Sequence, residues 1–189
     1  MRLILASASP RRRQLLDQLG IDHEVDPSGI VEAEPSPGED PAAYASTLAH
    51  RKAWAVAIRR PEGLILGADT VCAVGGQILN KPLDRDDAER MIRLQEGRDT
   101  EVWTGLCLLD AAARTWRGRA EVSVVHFRPL TDRERREHLD SGRWEGKAGG
   151  YGVQDDDPFI TLAWGSRSNV VGLPTEHLVE LLREVARGR

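Results

Sequence analysis

Ser7-Ala8-Ser9-Pro10-Arg11-Arg12-Arg13 places two hydroxyls and three arginines where a short apolar run gives way to the start of a helix. Free backbone N–H groups at a helix start attract anions, yet three arginines in that first turn oppose the helix dipole. The arrangement makes sense around a bound anion, and the planar guanidinium fork grips phosphate oxygens in pairs. Arg13 and one neighbour can equally be solvated surface residues. A second candidate is Asp69 in Gly67-Ala68-Asp69-Thr70, just beyond the apolar residues 64–66, which reads as a carboxylate at the mouth of a sheet. Such a group can hold a hard divalent cation, take a proton from water, or simply make hydrogen bonds within a turn. Glu32, in an acidic loop with Glu34 and Glu39, can supply a second oxygen ligand or remain solvated.

The lysines form a third set. Lys52, Lys81 and Lys147 are the only lysines in a chain that otherwise takes its positive charge from arginine, and each falls at a structured place. They are candidate point charges for phosphate, or ordinary surface residues. The fourth is Gly149-Gly150-Tyr151-Gly152-Val153-Gln154, where glycines would let the backbone approach a ligand and Gln154 can donate and accept at once. A plain flexible loop has the same composition. Ser168-Asn169-Val170-Val171-Gly172-Leu173-Pro174 reads as a polar turn, a short apolar strand and a helix boundary, mainly structural.

Other motifs fail. Gly146-Lys147 lacks the first glycine of a P-loop, which would be Ser141, and Ala148 offers no hydroxyl to magnesium. There is no G-x-G-x-x-G after a strand, no H-E-x-x-H and no G-x-S-x-G, and the five histidines show no ligand spacing. Cys72 and Cys107 are too few for a disulfide scaffold and read as small core residues.

These residues need a scaffold, and the hydropathy pattern supplies one. Residues 3–6 and 23–25 read as strands, with a helix between them that carries Leu15, Leu16 and Leu19 and ends at Gly20. Ser9 would cap it. Residues 26–40 form an irregular loop, and Asp40-Pro41 starts a helix running to about Arg59. Gly75-Gly76 turns a hairpin between residues 71–74 and 77–79. A helix opens at Asp84 and ends near Gly97, and residues 100–110 and 116–127 form a long antiparallel pair. Thr131 to Glu134 is a capping box, residues 142–157 are irregular, 159–163 are a strand, and 175–187 close the chain as a helix. Strands alternating with helices early and a hairpin in the middle predict an α/β fold on a mixed sheet, one domain over 1–189 with two lobes and a cleft.

Composition narrows the partners. With 40% hydrophobic residues the chain can bury a core, and 26 basic against 30 acidic residues give a net charge of −4. That charge and only nine scattered aromatics argue against nucleic acid. The absence of a long apolar run argues against a membrane, and the short apolar start argues against a secretion signal, so a cytoplasmic address is expected.

Taken in order, Leu3-Ile4-Leu5-Ala6-Ser7-Ala8-Ser9-Pro10-Arg11-Arg12, Gly67-Ala68-Asp69-Thr70-Val71, Lys81-Pro82, Thr104-Gly105, residues 146–154 and Asn169-Val170-Val171-Gly172-Leu173-Pro174 resemble the Maf family of nucleoside triphosphate pyrophosphatases, also called septum formation inhibitor proteins. The resemblance implies an elongated mixed β-sheet flanked by helices, similar to the inosine triphosphate pyrophosphatase fold, with a nucleotide cleft between its lobes. It implies hydrolysis of a nucleoside triphosphate to the monophosphate and pyrophosphate with a divalent cation, magnesium or manganese, and is compatible with a homodimer. Position by position, Ser7, Arg11, Arg12, Lys52 and Lys81 look like triphosphate contacts. Glu32 and Asp69 look like the metal and water centre, with Asp69 the catalytic base, and Gln154 looks like a base reader. The family often has glycine after Gln154, whereas this chain continues Asp155-Asp156-Asp157-Pro158.

Arg11 with Thr70 and Gln154 resembles the branch acting on uridine and thymidine triphosphates. Gln154 could accept from N3–H of uracil or thymine and donate to O4, but a glutamine free to flip would satisfy cytosine as well. Discrimination therefore needs neighbours that lock one orientation, such as backbone groups of residues 149–153. The rival reading is a nucleotide-sensing regulator that restrains cell division without turnover. Every phosphate contact suits it, whereas the paired carboxylates favour an enzyme, because a sensor gains little from negative charge beside phosphate.

Overall fold

A computed structural model describes residues 3–152 and 159–187. Seven strands form one mixed sheet in the order β2-β1-β3-β5-β6-β7, with β4 also paired to β3. In chain order the elements are β1 (Leu3–Leu5), α1 (Pro10–Gln18), β2 (His23–Val25), α2 (Pro41–Ala57), β3 (Leu64–Val74), β4 (Gln77–Leu79), α3 (Arg85–Gln95), β5 (Arg98–Asp110), β6 (Thr115–Phe127), α4 (Asp132–Asp140), β7 (Ile160–Trp164), α5 (Arg167–Val171) and α6 (Thr175–Arg187). Helices flank an open sheet, as the alternation of patterns predicts. Among the described residues no helix is long and apolar enough to cross a membrane.

Alternate residues of β3 face opposite layers, as the period of a strand requires. Leu64, Leu66 and Ala68 pack in one cluster with Leu16 of α1 and Leu178 and Leu181 of α6. Ile65 packs in the other with Ala49, Ala53 and Val56 of α2. Gly67 and Asp69 therefore share the face of Ile65, under α2. Asp40 caps α2 by accepting from Ala43 N–H at 3.0 Å, and Thr131 and Glu134 close their capping box on α4.

Four expectations need correction. Asp69 is not at a strand's end: β3 runs on through it, because β5 pairs with β3 continuously from Leu64 to Ala73 and Asp69 lies opposite Gly105. Ser9 does not cap α1 with its side chain; Ser7 Oγ instead accepts from Ser9 N–H at 3.2 Å. The predicted strand at Val170-Val171 is helix α5, capped by Ser166 and ended by Gly172 in the left-handed region at φ 116°. Five residues are too few for helical periodicity to show. Leu19, expected on the buried face of α1, is exposed.

The cleft follows from how β3 is paired. Since β5 occupies one edge, β1 and β4 must share the other; β1 pairs with residues 64–66 and β4 with residues 72–74. Neither strand pairs with residues 67–71. Asp69 is at the middle of that gap, the chain leaving β1 enters it from one side at Ser7, and the chain leaving β4 enters from the other at Lys81.

Candidate active site

A cavity of about 600 Å³ fills the gap. Ser7, Arg11, Arg12, Glu32, Lys52, Asp69, Thr70 and Lys81, all singled out in the sequence, line it together with Lys147. Gln154 and Asp155 to Asp157 lie outside the described residues. Arg13 is not part of the cavity; its side chain is exposed and lies 3.9 Å from Asp17. Five cationic side chains against three carboxylates line a cavity in a chain whose net charge is −4. Positive charge is concentrated here against the overall balance, which favours an anionic ligand.

The buried Lys52–Asp69 contact depends on two glycines. A Cβ on Gly67 would stand 2.1 Å from the carbonyl oxygen of Ala49, and one on Gly105 would stand 2.5 Å from that of Ala45. Their missing side chains let the small-residue face of α2 settle onto the sheet, and Lys52 then reaches Asp69 one turn along. Lys52 Nζ donates to Asp69 Oδ1 and is 2.6 Å from Glu32 Oε1, so one ammonium bridges both carboxylates. Lys52 is 6% exposed and Asp69 4%. Burial pushes the Asp69 carboxyl above its ordinary value, outweighing the attraction of Lys52 and Arg12. Burial also opposes the charged form of Glu32, but the Lys52 hydrogen bond with the charges of Lys52, Lys81 and Arg12 wins, and its carboxyl is held low. The two carboxylates thus differ: Glu32 stays an anion and Asp69 is the better proton acceptor.

Arg12 is buried and fixed on three sides. Its Nε donates to Gly172 O at 2.8 Å, Nη1 to Ser7 Oγ at 3.0 Å and Nη2 to Thr70 Oγ1 at 3.1 Å. Thr104 Oγ1 donates to Asn169 O at 3.1 Å, so in the 2.9 Å pair with Thr70 it is Thr70 that donates. A directed chain of hydrogen bonds therefore runs from Arg12 through Thr70 and Thr104 to α5, orienting the guanidinium. Ser7 Oγ accepts twice, from Arg12 and from Ser9 N–H, which leaves its own hydrogen for a ligand. Burial lowers the pKa of Arg12 despite Asp69 nearby, and a guanidinium stays protonated regardless. The segment 168–174, expected to be mainly structural, thus supports the site through Gly172 and Asn169.

The loop carrying Glu32 is tied down by residues that sequence reasoning passed over. Tyr44 Oη donates to Ala33 O at 2.7 Å, and Asn80 Nδ2 donates to Tyr44 Oη at 3.1 Å and to Glu34 Oε2 at 3.3 Å. Asn80 O also accepts from Gly149 N–H at 3.0 Å. Asn80, next to Lys81, thereby joins the acidic loop, α2 and the glycine-rich segment. Its polar side chain beside Lys81-Pro82 was the available signal.

The inner end of the cavity is different in kind. Cys72, Val102 and Val125 belong to one apolar cluster with Ile160 and Val170 at its side, and all five line the cavity. Gln95, 2% exposed at the end of α3, lines it among them. Burial pushes the Cys72 thiol up to about 12, so it is inert, as a core cysteine should be.

Among the described residues no group of three or more His, Cys, Asp or Glu converges as a metal cage. Glu32 and Asp69, brought together on one ammonium, offer hard oxygen donors in the number that magnesium usually takes from protein when phosphates complete its shell. The pair fits such an ion only as a partner to substrate.

Comparison with known proteins identifies the family. The family model for Maf-like proteins matches residues 2–185. A dTTP/UTP pyrophosphatase of Rhodopirellula baltica is 46% identical over 95% of this chain and 80% of its own length. Proteins of the same name are 43% identical in Deinococcus radiodurans, over 96% of this chain and 92% of the relative, and 41% identical in Pelotomaculum thermopropionicum, over 96% and 95%. Matched by the Maf-like family model over residues 2–185 and by relatives 41–46% identical over nearly its whole length, the chain belongs to the Maf family.

Proposed function

We propose that this protein is a nucleoside triphosphate pyrophosphatase acting on dTTP and UTP. The observation that carries the reading is that all three lysines of the chain, with Arg11 and Arg12, line one cavity around the Glu32–Asp69 pair. The relatives' names supply the bases. Cations alone would suit a sensor, but a buried carboxylate with a raised pKa beside phosphates is what water attack needs.

In the reaction, water attacks the α-phosphorus, the bond from that phosphorus to the oxygen bridging to the β-phosphorus breaks, and nucleoside monophosphate and pyrophosphate leave. Asp69 takes the proton from the water. Ser7, Arg11, Arg12, Lys52 and Lys81 bind the triphosphate oxygens and stabilise the charge that gathers on the departing pyrophosphate. Lys52 also keeps Glu32 ionised. Glu32 and Asp69 would hold a magnesium or manganese ion, which would supply Lewis-acid polarisation of the phosphoryl group. The same reading puts the enzyme in the cytoplasm, with nucleotides and not nucleic acid as its partners.

Incubation with each common ribo- and deoxyribonucleoside triphosphate and magnesium tests it, with monophosphate and pyrophosphate as the readout. Turnover of dTTP and UTP well above CTP and the purines is expected. Binding without turnover of any triphosphate would establish the sensor instead, and release of orthophosphate would move the attack to a different phosphorus.

A further inference from the structure

Gln95 has a place in the fold that the phosphate chemistry does not use. Its Nε2 donates to Met91 O at 3.0 Å and to Gly149 O at 2.7 Å, so both amide hydrogens are held by backbone carbonyls. A flipped amide would aim its oxygen at those carbonyls and lose both bonds, so the orientation is locked. Oε1 accepts from no described residue and is not among the sealed, unpartnered side-chain atoms of the chain. It opens to the cavity that Gln95 lines.

The position suits a base. Cys72 lies three residues beyond Asp69 on β3, about 10 Å between Cα atoms at strand spacing, and both residues line the cavity. A Cβ on Gly149 would stand 2.9 Å from Gln95 Oε1 and 3.3 Å from Cys72 Cβ, which puts the amide at that inner end. This is roughly the reach from the α-phosphorus to the base of one nucleotide. Among the described residues, Val102, Val125 and Ile160 give this part of the cavity an apolar wall, against which a fixed acceptor is a distinct polar signal.

We infer that Gln95 is a base-reading residue, its locked Oε1 accepting from the N3–H of uracil or thymine. Cytosine presents a bare N3 lone pair at that position, which a fixed acceptor repels and cannot satisfy. A freely flipping amide would accommodate both bases, whereas a locked one separates them. The inference rests on the pyrimidine triphosphatase reading and deepens it.

The test pairs Gln95→Ala with UTP, CTP and N3-methyl-UTP, whose methyl replaces the hydrogen in question. Wild-type protein is expected to use N3-methyl-UTP at least tenfold less well than UTP in kcat/KM. Gln95→Ala removes the acceptor and opens room for the methyl. The ratio of UTP to N3-methyl-UTP should then fall by about tenfold or more, and the preference for UTP over CTP should fall with it. A merely structural role, through the bond to Gly149, would lower all three substrates together and leave the ratios in place, which overturns the assignment. Should the variant fail to fold, equal kcat/KM of the wild type for UTP and N3-methyl-UTP overturns it as well. Wild-type protein inert toward every triphosphate would remove the pyrophosphatase reading and this inference with it, an outcome distinct from an active enzyme with unchanged ratios.

Discussion

The two ends of the cleft are built on opposite principles. At the outer end, charges hold one another: Lys52 bridges Asp69 and Glu32, and Arg12 is fixed by a serine, a threonine and a carbonyl. At the inner end a neutral amide is held by two backbone carbonyls among valines and a cysteine. The difference teaches how one cavity can grip any triphosphate and still select a base. Ionic contacts give strength with little dependence on which nucleotide brings the phosphate, while a locked neutral group gives selectivity by refusing the wrong partner.

Removing the base from the outer end should have the largest effect. Asp69→Asn is expected to keep the fold and most of the nucleotide affinity while losing turnover by at least about 10²-fold, measured as pyrophosphate release from dTTP. Near-normal turnover would take Asp69 out of the mechanism. A Cβ at Gly67 attacks the same end through packing. Gly67→Ala must push α2 off the sheet, with a stability loss of about 1–3 kcal/mol by denaturant titration and a matching loss of activity as Lys52 retreats. Full activity in that variant would show that the close approach of α2 does not place Lys52.

Lys81→Ala separates the two ends most directly. Its side chain is half exposed, so the fold should be indifferent, and triphosphate binding should weaken about tenfold while nucleoside binding is unchanged by calorimetry. Equal losses for both ligands would erase the division between ends. Tyr44→Phe removes two hydrogen bonds, to the loop of Glu32 at Ala33 and from Asn80, each worth about 1 kcal/mol, and should lower kcat severalfold with little change in base preference. The smallest effect belongs to the cysteines: with both thiols pushed up to about 12 by burial, native protein at pH 8 should resist iodoacetamide and unfolded protein should not.

How far these ends could be read beforehand follows the same division. Arg11, Arg12, Lys52, Asp69 and Lys81 announce themselves by charge: arginines in a first helical turn, lysines in an arginine-rich chain, and a carboxylate following an apolar run; Ser7 stands beside the arginines as a hydroxyl. Gln95 does not, since a glutamine near the end of an amphipathic helix reads as surface. Its burial depends on Gly149 returning to it from 54 residues later in the chain. The extent of β3 was hidden for a related reason: Gly67 resembles turn chemistry locally, and only the approach of α2 explains why glycine is there. Helix patterns with caps, as at Asp40 and Thr131, were readable because every signal in them is local.

The near-total use of arginine for positive charge has an experimental consequence. Apart from the N-terminal amine, every primary amine in the protein belongs to Lys52, Lys81 or Lys147, and all three face the same cavity. Reductive methylation with carbon-13 formaldehyde would therefore place its side-chain labels nowhere but in the cleft. Each resolved dimethylamine signal would become a spectator of nucleotide occupancy, with the exposed Lys81 reacting first and the buried Lys52 last.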